Sequence, residues 1–120
     1  MLKRVVVTGM GIVSSIGNDV EAVTESLKAG QSGIRFQEKY KEMGFRSHVA
    51  GNIENFATDI DRKHKRFMGD SALFCYEAMQ QAIKDAGLSA EQVSHPRVGL
   101  IAGSGGASTE DIVDANIILL

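Results

Sequence analysis

Apolar residues in this chain come in two textures: short unbroken runs that end in glycine, and longer stripes with helical spacing. Val5, Val6 and Val7 run into Thr8-Gly9-Met10-Gly11, and Val98, Leu100, Ile101 and Ala102 run into Gly103, Gly105 and Gly106. Runs of this length and make-up read as strands covered on both faces. The glycines let the backbone turn through conformations that a side chain forbids, or approach another group closely. The two strand-to-glycine elbows therefore predict two strands of one buried sheet in an α/β fold.

The helical stripes are longer. Val20, Val23 and Leu27 predict a helix that begins near Asp19, with Asn18 and Glu21 at capping-box spacing and Gly30 placed to end it. The longest helix is expected over about 70–86, where Ala72, Cys75, Met79, Ala82 and Ala86 form one stripe widened by Leu73, Phe74, Tyr76 and Ile83. So much apolar circumference places it inside the fold. Gly87 followed by Leu88 is a left-handed helix stop, and Ser89 with Gln92 caps one further turn before Pro96. Gln31 to Gly44 reads mostly as surface loop, Ser47 to Ile53 as a weaker strand, and a short helical turn follows Asp59. Ser108 or Thr109 caps a last helix through Asp111, and the sequence stops at Ile117-Ile118-Leu119-Leu120. Four large apolar residues there want a partner surface, so the chain reads as interrupted in mid-fold.

Composition narrows the class. With 43% hydrophobic and 23% charged residues over 120 positions, the chain has the profile of one globular domain with material for a core. A formal charge of -2 gives no global polyanion-binding signature, so nucleic acid is not an expected partner and charge recognition must be local. One cysteine excludes an intrachain disulfide and any multi-cysteine zinc site. Lys3 and Arg4 lead into a short valine run and not a signal sequence, and no apolar run is long enough to cross a bilayer. A cytoplasmic location, away from membranes, is expected.

Candidate chemistry is sparse. Gly9, Gly11 and Gly17 do not make G-x-G-x-x-G, Ser108 stands where the second elbow's third glycine would belong, and no lysine followed by Ser or Thr lies behind either elbow. Nucleotide binding is disfavoured, and close approach of strand and helix is the better reading of the glycines. Cys75 lies within the apolar stripe, away from a helix N-terminus or cations that would activate a thiol, and is expected in the core. His48, His64 and His95 have no i,i+3 or i,i+4 pairing that would suggest a metal; His48 reads as a hydrogen-bonded structural residue and His95 as a loop residue. Arg62, Lys63, Lys65 and Arg66 form the local charge cluster, with His64 among them. It is either a solvated face or a dock for an acidic partner, with Phe67 and Met68 as apolar contacts.

Several blocks taken together carry a family likeness. VVVTGMGIVSSIGN, RSHVAGNI, DRKHKRFMGDSALF, DAGL and PRVGLIAGSGG occur in order over nearly the whole chain. In that order they resemble the N-terminal region of β-ketoacyl-acyl carrier protein synthases of the synthase I type. The resemblance implies a thiolase-like fold, here incomplete: residues 1–120 would be the N-terminal segment of a β-ketoacyl synthase domain, within the first of two βαβαβαββ halves. It implies a homodimer and decarboxylative Claisen condensation of an acyl thioester with malonyl-acyl carrier protein in fatty-acid biosynthesis. It implies neither metal nor organic cofactor.

The family works through a cysteine at a helix N-terminus and two histidines, all later in its longer chain. None of Cys75, His48, His64 or His95 matches them, so no catalytic residue is assigned and these 120 residues alone are expected to be inactive. Lys63 and Arg66 match basic positions that receive acyl- and malonyl-loaded carrier protein, with Arg62 and Lys65 as helpers. Ala107 matches a position lining the acyl-chain pocket. The rival reading is a non-enzymatic carrier-binding module or remnant.

Overall fold

The structure, a computed structural model, describes residues 3–119. In chain order it contains α1 (Val20–Lys28), β1 (Ile34–Phe36), α2 (Glu38–Glu42), β2 (Val49–Gly51), α3 (Arg62–Lys65), α4 (Asp70–Asp85), α5 (Ala90–Val93) and α6 (Thr109–Leu119). β1 and β2 pair antiparallel, with Arg35 opposite Ala50. This two-stranded ribbon is the sheet formed among the described residues.

Local signals set most helix ends. Asp19, and not Asn18, caps α1, its carboxylate accepting from the Ala22 amide at 2.8 Å. Gly30 and Gly87 follow α1 and α4 with φ of +64° and +65°, the left-handed conformation that glycine adopts without a Cβ penalty. At α5 the Ser89 hydroxyl accepts from the Gln92 amide and the Gln92 side chain accepts from the Ser89 amide, a complete capping box. Ser108 accepts from the Asp111 amide at 3.4 Å, and the last helix runs on through Leu119; Leu120 of the expected apolar ending lies outside the described residues. Residues 31–44, expected to be mostly loop, hold β1 and α2. Elements of three and five residues are too short to show a period in sequence.

The expected buried sheet of residues 5–7 and 98–102 is not formed. Neither run pairs with a strand, and Val5 and Ile101 are 93% and 97% exposed. The elbow that follows the first run is bonded to a helix. The Met10 amide donates to Asp85 Oδ2 at 2.9 Å, and the Ile12 amide donates to Gln81 Oε1 at 3.1 Å, both on α4. Gly9 and Gly11 make this contact possible. A Cβ on Gly9 would meet the Ala82 carbonyl and Ala86, and one on Gly11 would meet the Ala78 carbonyl. Close approach to a helix, the structural reading of the first elbow, is what its glycines provide. The second elbow differs: Gly103, Gly105 and Gly106 have negative φ or extended backbone and open space around the missing Cβ.

The core for which the composition has material is small among the described residues. Val23 and Leu73, 8% and 4% exposed, are the buried hydrophobic side chains among the described residues. The radius of gyration is 17.9 Å, against about 13.6 Å for a compact domain of this length. Helix α4 is therefore covered on one side only. Leu73 is buried and Ala78, Ala82 and Ile83 are half-buried, while Cys75 and Tyr76 are exposed. Cys75 is not the core residue its stripe predicts, because periodicity identifies an apolar face without supplying the element that covers it.

Candidate functional site

The basic turn is built from the residue before it. Asp61 Oδ1 accepts from the His64 amide at 2.9 Å and caps α3, while Asp61 Oδ2 lies 2.6 Å from His64 Nδ1. The His64 amide, and then the His64 ring, hold the Asp61 carboxyl below its ordinary value of 3.8. Arg62, Lys63 and Lys65 lie on α3, Arg66 is its C-cap, and all four are exposed. Among the described residues none of them has a carboxylate within ion-pair distance. The Arg66 guanidinium lies over the Phe67 ring at 4.8 Å, and Phe67 is 75% exposed. The turn thus presents unpaired cations beside an uncovered aromatic ring, which suits an acidic surface with apolar relief.

On the far side of α4 an open groove of about 600 Å³ runs between the helix and residues 100–108. Cys75, Tyr76, Met79, Leu100 and Ala102 give it an apolar wall. Gly106 and Ser108 line it, whereas the intervening Ala107 is exposed and does not. At one end the residue before α4 comes close to the first turn of α6. A Cβ on Gly69, the N-cap of α4, would come within 2.7 Å of Asp111 Oδ2.

The structure does not bring the remaining chemistry-bearing residues together. His48 packs its ring edge-on to Phe36 at 5.9 Å, and its backbone carbonyl accepts from the Gln37 amide. His95 lies in a turn, with Nδ1 accepting from the Arg97 amide at 3.1 Å. Among the described residues no group of three or more His, Cys, Asp or Glu gathers as metal ligands. Among the described residues no helix is long and apolar enough to cross a membrane.

Sequence reasoning passed over a polar stripe on α4. Glu77, Gln81 and Asp85 recur every four residues and so share a face. Between them they grip two segments: Glu77 accepts from the Thr58 hydroxyl, while Gln81 and Asp85 accept from the Ile12 and Met10 amides of the first elbow. The signal was present as polar residues at helical spacing on a half-covered helix.

Residues 2–117 match the family model described as "Beta-ketoacyl synthase, N-terminal domain". The chain is 55% identical over 109 residues to 3-oxoacyl-[acyl-carrier-protein] synthase 1 of Escherichia coli strain K12, covering 89% of this chain and 27% of that protein. It is 52% identical over 111 residues to the same-named protein of Haemophilus influenzae, covering 92% of this chain and 27% of that one. The chain therefore spans about a quarter of the length of these relatives. In structure it is similar to a crystal structure of a beta-ketoacyl synthase from Burkholderia phymatum STM815, with a TM-score of 0.80 and 33% identity over 98% of this chain and 30% of that one. That coverage takes in the unpaired runs near both elbows, so the backbone follows a synthase even where no strand pairing is present. The fold is thiolase-like and incomplete.

Proposed function

The chain belongs to the β-ketoacyl synthase family, and we propose on that premise that residues 1–120 are the N-terminal segment of a 3-oxoacyl-acyl carrier protein synthase domain. The identity of 55% over 109 residues to a named synthase carries this reading. The complete enzyme would move an acyl group onto a cysteine, decarboxylate malonyl-acyl carrier protein, and join the resulting carbanion to the acyl carbonyl in fatty-acid biosynthesis. It would act as a cytoplasmic homodimer. These 120 residues supply the scaffold and not the nucleophile. Cys75 lies in the second turn of α4, away from the helix N-terminus that would activate a thiol.

The acidic carrier protein would dock on Lys63 and Arg66, with Arg62 and Lys65 as helpers. Their exposure and the lack of carboxylate partners among the described residues support this. Ala107 would lie at the acyl pocket, its neighbours Gly106 and Ser108 lining the apolar groove.

The test is condensation of an acyl primer with malonyl-carrier protein, run on the 120-residue chain and on the complete synthase polypeptide that carries it. Product from the complete polypeptide and none from the chain supports the reading. Carrier binding by the complete polypeptide without product would favour a non-enzymatic module. Product from the chain alone, abolished by Cys75→Ser, would overturn the assignment of the nucleophile.

A further inference from the structure

Helix α3 carries the basic turn but has no packing of its own. It is four residues long and none of them is buried. Its position must come from what flanks it. On the C-terminal side the chain enters α4 directly after Phe67, Met68 and Gly69. On the N-terminal side, residues 56–60 alternate. Phe56, Thr58 and Ile60 are half-buried, whereas Ala57 and Asp59 are exposed, so one edge of an extended segment lies on the molecule and the other faces solvent.

Two contacts pin that edge to α4. The Phe56 ring meets Phe74 edge-on at 4.8 Å. The Thr58 hydroxyl donates to Glu77 Oε1 and accepts from the Ile60 amide at 3.2 Å. Thr58 thus links a rigid helix to the residue immediately before Asp61, which caps α3. Glu77 is otherwise out of place. It is half-buried, next in sequence to Ala78 and one turn from Leu73 and Phe74, and among the described residues it pairs with no cation. A carboxylate drawn from water needs a donor, and the donor here is Thr58.

We infer that the Thr58–Glu77 hydrogen bond is the strut that holds the basic turn in its docking position, making Thr58 and Glu77 positioning residues for an acidic protein partner. The inference rests on the docking reading of Lys63 and Arg66. Cations on a turn tethered at both ends meet a partner without first being ordered, and that saved ordering is affinity.

The experiment uses the complete synthase polypeptide and measures the dissociation constant for acyl carrier protein at low salt, together with turnover of carrier-borne and carrier-free acyl thioesters. Lys63→Glu with Arg66→Glu tests the docking reading first, and normal binding by that double variant would remove it. Given weakened binding there, Thr58→Val is expected to weaken carrier binding about two- to tenfold, the worth of one hydrogen bond. Carrier-free turnover should stay unchanged, which a general loss of fold would not allow. Thr58→Ser and Glu77→Gln, which keep donor and acceptor, should bind as the parent does. Parent-like binding by Thr58→Val, or equal loss on carrier-borne and carrier-free substrates, would overturn the inference. If Thr58→Val does not fold, Glu77→Ala carries the same comparison. A combined Thr58→Val and Glu77→Ala variant should lose no more than either single change, and additive losses would also overturn it.

Discussion

Gln81 and Ile12 are 69 residues apart in sequence and joined by a 3.1 Å hydrogen bond from the Ile12 amide to the Gln81 carboxamide oxygen. The same carboxamide donates from Nε2 to the Asn18 carbonyl at 2.6 Å. One side chain therefore closes the loop 12–18 at both ends. Within it, Ser14 and Gly17 exchange backbone hydrogen bonds of 2.8 and 3.2 Å. The glycine-bounded stretch from Gly11 to Gly17, which reads as a loop in sequence, is a loop held against a helix.

Gln81→Leu keeps the bulk and removes both bonds. The Ile12 amide and Asn18 carbonyl are part-buried, so the expected loss of stability is about 1–3 kcal/mol. Thermal unfolding of the complete synthase reads the total, and amide exchange at Ile12 should accelerate more than exchange within α1. Uniform acceleration would show that Gln81 supports the helix and not the loop.

Glycines with different duties should respond differently. Gly11→Ala puts a Cβ against the Ala78 carbonyl, which is helix backbone and cannot rotate away; the expected loss is about 1–3 kcal/mol or more. Gly30 has φ of +64° and open space around it, so Gly30→Ala should lose only about 1 kcal/mol of backbone strain. Melting of the two variants checks the order. Equal losses would deny the close approach of loop and helix.

What was legible in the sequence was local. The stops at Gly30 and Gly87, the capping box at Ser89 and Gln92, and the long helix over 70–85 each depend on neighbours within a turn. That Val5–Val7 and Val98–Ala102 stay unpaired was not legible, because pairing depends on distant partners that β propensity does not name. The exposure of Cys75 escaped for a related reason: an apolar stripe tells which face seeks cover, not whether cover is present. Of the candidate site, the charges at Arg62 to Arg66 were plain, whereas their tether through Thr58 needed the third dimension.

Asp61 is the carboxylate inside the basic turn, and Asp61→Asn separates its two duties. Asparagine still caps α3, since it keeps an oxygen for the His64 amide. Removing the negative charge should tighten binding of an acidic carrier protein roughly two- to fivefold at low salt, an advantage that fades as salt rises. Because the Asp61 carboxyl is held below its ordinary value of 3.8, its stabilising bonds are present above that pH and lost as pH falls through the lowered value. The variant should not show that acid-side loss. Carrier-binding titrations and circular dichroism from neutral pH to below 3.8 check both, and unchanged binding would mean that the turn does not meet the carrier protein.

Ala107 provides the test of the acyl pocket. It is exposed, but it separates Gly106 and Ser108, which line the apolar groove beside α4. A side chain larger than methyl at this position would project from the segment that forms one wall of the groove. The positions of the absent side chains at Gly103, Gly105 and Gly106 are open. Ala107→Ile would add bulk beside them. If the acyl chain of the bound substrate reaches this segment, crowding of this kind costs about 1–3 kcal/mol. Felt only by chains long enough to arrive there, that is roughly a 10- to 200-fold loss of kcat/KM, while short primers should be nearly untouched. The measurement is kcat/KM of the complete synthase and its Ala107→Ile variant over a series of acyl-carrier-protein primers. An equal loss at every length would assign Ala107 to the geometry of the glycine segment and withdraw it from the pocket.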